Sequence, residues 1–285
     1  MIEHLAISEQ FPKEAVSPLV VGMKAAYLAG RIINEGYGGL HEVTDKGHGD
    51  LVSEVDVACD EVITTTIRAS DYGDEVIISE ELNPDAPRPE AAHWIVDPLD
   101  SSNAFEFMIS EDMPAVLIAR QGSADPDTAV VYFPLTSELF IAVEGYGSYK
   151  GENRLQCANT PPLDKAWVEL NQYSNAQLES PLFAGMRNRL RTPGRGARLV
   201  TTRAPHSGVG VRIAESGQAI SAVVHDNGPS VKQGAWDVAA VALVLKEAGG
   251  VVLNFKGEAY DPFKPEPFLM AASPELAEEI IDLAA

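Results

Sequence analysis

Five acidic residues lie where the sequence predicts that a strand ends or a helix begins. They are Asp56, Glu80, Asp97, Asp100 and Asp237. Hard divalent cations such as Mg²⁺ prefer carboxylate oxygens as ligands. Taken singly, Glu80 also fits an acidic surface, Asp97 a turn, and Asp237 a first-turn acid favoured by the helix dipole. Asp97, however, follows the apolar run Trp94-Ile-Val, and a buried carboxylate is costly unless it is compensated. The pattern therefore predicts a metal centre.

Two predicted strands carry acidic residues at their C-terminal ends. The run Glu75–Ile78 is followed by Glu80 and Glu81, and the run His93–Val96 is followed by Asp97. Open sheets commonly bind ligands at the C-terminal edge of their strands. We therefore expect the carboxylates to meet at one edge of a sheet.

Helices are predicted before and after these strands. Apolar spacing indicates a helix over residues 16–35 and a second one around residues 58–67. A helix over residues 235–248 begins beside Asp237, and a last helix opens at Pro274 with Ser273 as its cap. Asp237 should therefore enter the site from a helix start.

The remaining pattern predicts an α+β half joined to an α/β half. Strand-like runs at 115–119, 129–133 and 138–143 indicate an antiparallel meander, and further strands are expected at 251–254 and 268–271. The turn-rich stretch Gly145–Gly151 is interpreted as a boundary. It gives an α+β domain over 1–148 with the main metal-binding motifs, and an α/β domain over 149–285 that supplies Asp237 and substrate contacts.

Composition limits the partners that the chain can have. Its 285 residues include 42 acidic and 21 basic side chains, a net charge of −21, which disfavours nucleic acid and anionic membranes as partners. A phosphate would be repelled too unless bound cations reversed the local charge. Two distant cysteines, Cys59 and Cys157, predict neither a zinc site nor a disulfide framework. We find no secretion signal and no run near the ~20 apolar residues of a membrane span. A cytoplasmic protein is expected.

Several motifs together resemble the inositol monophosphatase family, within the lithium-sensitive, metal-dependent phosphatases that include fructose-1,6-bisphosphatase. They run in order along nearly the whole chain from about residue 16, which makes the combination specific. The matching segments are Asp50–Asp56, Ser79–Glu81, Trp94–Asp100, Gly145–Gly151, Trp236–Ala240, Glu247–Gly250 and Phe268–Glu275.

This resemblance implies a layered αβαβα fold, two or three Mg²⁺ ions and a homodimer. It assigns the metal ligands to Glu80, Asp97, the Leu99 carbonyl, Asp100 and Asp237. It assigns the catalytic groups to Glu80, Ser102 and Asp56, with Ser102 where the family usually has a threonine that helps to activate water. The backbone amides after Asp100 would hold the phosphoryl oxygens.

The sequence departs from the family pattern at positions that contact the substrate. Ser101 and Ser102 replace the usual glycine and threonine, and serine tolerates a positive φ less well than glycine. An alternative alignment matches a bisphosphatase-like Asp-Gly-Ser-Ser-Asn-Ala with one residue deleted. His206 stands where the family usually has glycine, and Ser230 replaces an acid, which weakens inositol phosphate as the substrate. The expected substrate contacts are Asp100, Ser101, Ser102, His206, Ser207, Ser230 and Lys232, of which Lys232 is suited to a second anionic group.

The predicted function is a Mg²⁺-dependent phosphomonoesterase acting on a small phosphorylated metabolite. Candidate substrates are an inositol monophosphate-like compound, a sugar phosphate, histidinol phosphate or a nucleotide-derived phosphate. Two alternatives stay open: a bisphosphatase like fructose-1,6-bisphosphatase, and a metal-binding regulatory protein with reduced turnover.

Overall fold

Two β-sheets alternate with three layers of helices in the described part of the chain. The computed structural model describes residues 11–47, 50–108, 113–157, 161–171, 181–203, 208–216, 221–225 and 234–284. Three clusters of buried apolar side chains hold neighbouring layers together. The arrangement confirms the predicted αβαβα sandwich.

The first layer contains helices α1 (Lys13–Gly36) and α2 (Glu54–Arg68). A hairpin of β1 (Val43–Gly47) and β2 (Asp50–Ser53) connects them. Both predicted helices are confirmed, and α1 begins three residues earlier than expected. A side chain at Gly30 of α1 would collide with the ring of Tyr132, so glycine permits the helix to lie close to the sheet.

Helix α1 is, by length and composition, long and apolar enough to cross a membrane. Lys24 and Arg31 interrupt this run in the sequence, where no membrane span was predicted. Both of these residues lie on the exposed side of the helix. The opposite side carries Leu19, Ala26 and Ile33, which are buried in the core between α1, α2 and the first sheet. Packing therefore accounts for the apolar character of α1 as a core helix.

The first sheet has seven strands in sequential order. They are β3 (Val76–Ser79), β4 (His93–Asp100), β5 (Ala115–Gln121), β6 (Thr128–Phe133), β7 (Glu138–Val143), β8 (Gly147–Lys150) and β9 (Asn153–Arg154). Strands β3 and β4 are parallel and the later neighbours are antiparallel, which confirms the predicted meander. The turn-rich stretch interpreted as a boundary contains strand β8. The sheet therefore continues past residue 148, and the division into two domains stays a prediction.

The second sheet has five strands in the order β11-β10-β12-β14-β13. They are β10 (Trp167–Asn171), β11 (Leu199–Arg203), β12 (Ala222–His225), β13 (Val251–Asn254) and β14 (Phe268–Ala271). Strands β10, β11 and β12 are parallel, whereas β14 is antiparallel to both of its neighbours. The predicted strands at 251–254 and 268–271 are confirmed.

Helices α5 (Val209–Ser216) and α6 (Ala235–Glu247) lie between the two sheets. Helix α6 is apolar on all sides because both of its faces are covered, which is the pattern expected of a central helix. Helices α4 (Pro181–Leu190) and α7 (Pro274–Ala284) cover the outer face of the second sheet. The predicted cap of α7 is confirmed, since the Leu276 amide donates to Ser273 Oγ at 3.3 Å.

Candidate metal centre

Three aspartates from two distant parts of the chain meet between the first sheet and α6. Asp97 and Asp100 end strand β4, and Asp237 lies in the first turn of α6. One carboxylate oxygen of each lies within 4.8 Å of the others. Asp97 is 1% exposed and Asp100 5% exposed. Among the described residues, this is the group with the spacing of a metal site.

An irregularity in strand β4 places both of its aspartates on one side of the sheet. Side chains three residues apart on a regular strand point to opposite faces. Between Asp97 and Asp100 the pairing with β5 shifts, so that Asp97 faces Leu117 and Asp100 faces Ala115. Two residues of β4 thus oppose one residue of β5, as in a β-bulge, which redirects the following side chain. The shift turns Asp100 towards the same layer as Asp97.

Backbone donors hold each of the three carboxylates. The amide of Gly234 donates to Asp237 Oδ2 at 2.7 Å, the amide of Leu99 to Asp97 Oδ1 at 3.1 Å, and the amide of Gly208 to Asp100 Oδ2 at 2.9 Å. A Cβ on Gly208 would lie 2.9 Å from Phe133 Cζ, so only glycine allows this approach. These bonds orient the oxygens without neutralising their charge.

Burial and neighbouring charges disfavour the ionised form of Asp97. Burial and then the charges of Glu80, Asp100 and Asp237 raise the pKa of the Asp97 carboxyl well above its ordinary value. Carboxylates this close repel each other, and a cation between them would remove the repulsion. A set of hard oxygen donors suits Mg²⁺ and not the thiolate- or imidazole-seeking metals. The residues therefore fit the magnesium ion that the sequence predicts.

Glu80 and Glu81 occupy the neighbouring edge, after strand β3. The Glu80 amide donates to Val96 O at 3.1 Å, which holds this turn against β4. Lys46 Nζ lies 3.1 Å from Glu80 Oε1 and 2.6 Å from Glu81 Oε1. Glu80 is near enough to raise the pKa of Asp97 but lies outside the three-aspartate group, and an ammonium group contacts its carboxylate.

Asp56 and Ser102 lie beside the aspartates and contact each other. Ser102 Oγ is 2.6 Å from Asp56 Oδ1 and 3.0 Å from the Leu99 carbonyl oxygen. The amide and hydroxyl of Ser53, the cap of α2, both donate to Asp56 Oδ2. The Asp56 carboxylate is the closer of the two acceptors and is charged, so the Ser102 O–H donates its hydrogen bond to Asp56. The lone pairs of the Ser102 oxygen then remain to orient a water molecule.

Ser101 adopts the left-handed conformation, with φ 71° and ψ 44°. This is the position where the family usually has glycine, and a non-glycine residue there is strained by about 1–2 kcal/mol. The following helix α3 (Ser102–Glu106) has only five residues. The loop therefore keeps a glycine-type backbone although the side chain is serine.

Four predicted substrate contacts lie outside the described residues: His206, Ser207, Ser230 and Lys232. The structure also places four residues at or beside the centre that were not predicted from the sequence: Lys46, Ser53, Asp60 and Gly208. Buried Asp60 accepts hydrogen bonds from the Glu81 and Leu82 amides. Its spacing of four residues from Asp56, which puts both on one helix face, was an available signal.

Comparison with known proteins identifies the family of this chain. A sequence profile described as the inositol monophosphatase family matches residues 16–285. Nus factor SuhB of Pasteurella multocida is 29% identical over 267 residues, covering 93% of this chain and 94% of that protein. Inositol monophosphatase 3 of Solanum lycopersicum is 29% identical over 247 residues, covering 85% and 88%.

Solved structures show the same fold at lower sequence identity. An IMPase of Thermotoga maritima has a TM-score of 0.76 and 21% identity, covering 94% of this chain and 96% of its own. An IMPase/NADP phosphatase complexed with Mg²⁺ and phosphate has a TM-score of 0.72 and 18% identity, covering 92% and 90%. The layered architecture is therefore shared with these proteins.

Proposed function

Because the chain belongs to the inositol monophosphatase family, we propose that it is a Mg²⁺-dependent phosphomonoesterase acting on a small phosphorylated metabolite. The observation that carries the proposal is the convergence of Asp97, Asp100 and Asp237, whose carboxylate oxygens lie within 4.8 Å of one another and are suited to hold a cation. We propose two or three ions, with Glu80 and the Leu99 carbonyl completing the ligand set.

The proposed mechanism uses a water molecule as the nucleophile. Bound Mg²⁺ would supply Lewis acidity, polarising the phosphoryl oxygens and lowering the pKa of a coordinated water towards neutrality. Asp97, Asp100 and Asp237 bind and orient the metal. Asp56 accepts a hydrogen bond from the Ser102 hydroxyl, and this leaves the lone pairs of the Ser102 oxygen to accept from, and so orient, the attacking water. Glu80 accepts the proton of that water.

The negative net charge of the chain limits which substrates can approach. The chain carries a net charge of −21, so a phosphate approaches only where cations reverse the local sign. We propose a compact monophosphate, such as an inositol monophosphate-like compound, a sugar phosphate, histidinol phosphate or a nucleotide-derived phosphate. The protein is further proposed to be cytoplasmic and homodimeric, with neither nucleic acid nor membrane as a partner.

A second candidate function is a metal-binding regulatory protein with reduced turnover. The strained Ser101 and the name Nus factor SuhB borne by several relatives at 27–29% identity favour it. A bisphosphatase like fructose-1,6-bisphosphatase is the alternative within the enzyme class. The hydrogen bond between Ser102 and Asp56, which a protein without turnover does not need, favours an enzyme.

The test is phosphate release from a panel of these monophosphates and a bisphosphate, with Mg²⁺ or with EDTA. We expect release with Mg²⁺ alone, and a loss of at least about a hundredfold in Asp97→Asn and Asp237→Asn, since a metal supplies several kcal/mol to the transition state. Asp85→Asn, in an exposed loop, is the matched control and should stay active. Tight Mg²⁺ binding without turnover of any panel member would favour the regulatory protein instead.

A further inference from the structure

Four charged side chains form an ion cluster where helix α5 meets strands β7 and β8. We call it the Arg212 cluster, and its members are Glu138, Lys150, Arg212 and Glu215. Arg212 pairs with Glu138 through two parallel contacts, Nη1–Oε1 at 3.2 Å and Nη2–Oε2 at 2.7 Å. Arg212 Nη1 also lies 2.9 Å from Glu215 Oε2, and Lys150 contacts both glutamates. Charges of opposite sign therefore alternate around the cluster.

The pair between Arg212 and Glu138 is the central contact of this cluster. Hydrogen bonding from Arg212 is the largest cause that lowers the pKa of Glu138 to about 2. A two-point contact between guanidinium and carboxylate fixes orientation as well as distance. The pair therefore links α5 to the first residue of β7.

The ring of Phe133 connects Arg212 to the residue before the start of α5. The Arg212 guanidinium lies 4.6 Å from the centre of the Phe133 ring. The same ring lies close to Gly208, because a Cβ there would lie 2.9 Å from Phe133 Cζ and 3.0 Å from Phe133 Cε1. Phe133 thus lies close to both the Arg212 guanidinium and the backbone of Gly208, so a displacement of Arg212 would change how the ring packs against Gly208.

Gly208 connects this arrangement to the metal centre. Its amide donates to Asp100 Oδ2 at 2.9 Å, and Asp100 is one of the three converging aspartates. Hydrogen bonds to a metal-binding carboxylate set its orientation and affect metal affinity. Asp100 reaches its position from β4, but the donor that orients it comes from the opposite layer.

We propose that Arg212 is a positioning residue for the metal centre, acting through Phe133 and Gly208 on the carboxylate of Asp100. The inference rests on the proposed function, in that Asp100 is taken as a metal ligand. Arg212 touches none of the reacting groups. It holds the start of α5 where the Gly208 amide points at Asp100 Oδ2, so the ion pair on the surface contributes to affinity for the cation.

The experiment measures Mn²⁺ binding to the whole protein without substrate, by calorimetry and electron paramagnetic resonance. Arg212→Lys keeps the charge but loses the two-point contact, and we expect it to raise the Mn²⁺ dissociation constant about tenfold. Arg120→Lys is the matched control, because Arg120 pairs in the same way with Glu75 and stacks on Tyr72. That arginine is opposite Trp94, near the start of β4 and away from its aspartates. The control should lose thermal stability while its Mn²⁺ affinity stays within about twofold of wild type.

A double mutant tests the path through Gly208. Gly208→Ala should itself weaken Mn²⁺ binding, and adding Arg212→Lys should then change the affinity little, because both act on the same hydrogen bond. Equal Mn²⁺ affinity in wild type and Arg212→Lys, equal losses in Arg212→Lys and Arg120→Lys, or full additivity with Gly208→Ala would overturn the inference. A wild-type protein that binds no Mn²⁺ would overturn the proposed function and this inference together.

Discussion

Ser102 Oγ lies 2.6 Å from Asp56 Oδ1, although 46 residues separate the two in sequence. The contact joins the helix that follows strand β4 to the first turn of α2. Asp56 is 1% exposed, and Ser53 donates two hydrogen bonds to its other oxygen. Asp56 therefore accepts the hydrogen bond from Ser102 in a fixed position. Because the Ser102 hydroxyl donates its hydrogen bond to Asp56, its oxygen can accept a hydrogen bond from a water molecule.

Removing that hydroxyl should slow the reaction more than it weakens binding. We expect Ser102→Ala to lower kcat about a hundredfold with little change in KM, because orientation of the attacking water is lost in the transition state. Ser102→Thr keeps the hydroxyl and should retain most of the activity. Steady-state kinetics on the best substrate of the panel checks both, and equal activity in the alanine and threonine variants would contradict the role given to Ser102.

The backbone at Ser101 predicts a stabilising substitution. Ser101→Gly relieves left-handed strain of about 1–2 kcal/mol but adds freedom to the unfolded chain worth about 0.4–1 kcal/mol. We therefore expect a net gain of about 1 kcal/mol or less in the free energy of unfolding, measured by urea denaturation. Ser137→Gly, at φ 57° on an exposed turn, is the control. It should gain similar stability with unchanged kcat, whereas a change in kcat in Ser101→Gly would show that the strain affects turnover.

The raised pKa of Asp97 predicts how stability depends on pH without metal. A folded-state pKa above the unfolded one means that the native protein binds the proton more tightly. In EDTA, the stability contributed by Asp97 is therefore lost as pH rises through the raised pKa. Asp97→Asn removes the buried charge and keeps an acceptor for the Leu99 amide, so it should raise Tm in EDTA at neutral pH and abolish the increase caused by Mg²⁺.

A matched substitution separates this effect from the general relief of buried charge. Burial also raises the pKa of Asp127, which accepts a hydrogen bond from the Gly122 amide. Asp127→Asn should leave the Mg²⁺-dependent rise in Tm intact. If Asp97→Asn unfolded at a lower temperature than wild type in EDTA at pH 7, the argument about uncompensated charge would be wrong.

We expect the Lys46 ammonium group to compete with the cation for the carboxylates of Glu80 and Glu81. Its ammonium contacts Glu80 and Glu81, beside the three aspartates. A partly exposed ion pair contributes up to about 1 kcal/mol, so Lys46→Met should tighten Mg²⁺ binding up to about fivefold. Calorimetry measures the affinity. Lys256→Met, which breaks the Lys256–Glu266 pair elsewhere on the surface, is the control and should bind Mg²⁺ like wild type. Weaker Mg²⁺ binding in Lys46→Met would show that the lysine supports the site.

Local patterns in the sequence were sufficient for most elements. The strand end before Glu80, the cap at Ser273 and the helix start before Asp237 are each set by neighbours a few residues away. The strand predicted to end at Val96 continues to Asp100, because pairing with β5 extends it. The layered fold followed from resemblance over nearly the whole chain. The glycines of the stretch Gly145–Gly151 indicate turns, whereas pairing with β7 makes residues 147–150 a strand, which a local pattern does not show.

The sequence by itself determined which residues could bind a cation and which elements carry them, since residue type and periodicity are local properties. The tertiary structure alone decided that Asp100 turns to the side of Asp97, because that depends on the shift in pairing with β5. It also decided that Lys46 contacts Glu80, that the Gly208 amide donates to Asp100, and that Arg212 stacks on Phe133. These relationships join residues far apart in the chain, and the packing of whole layers, not any local preference, brings them together.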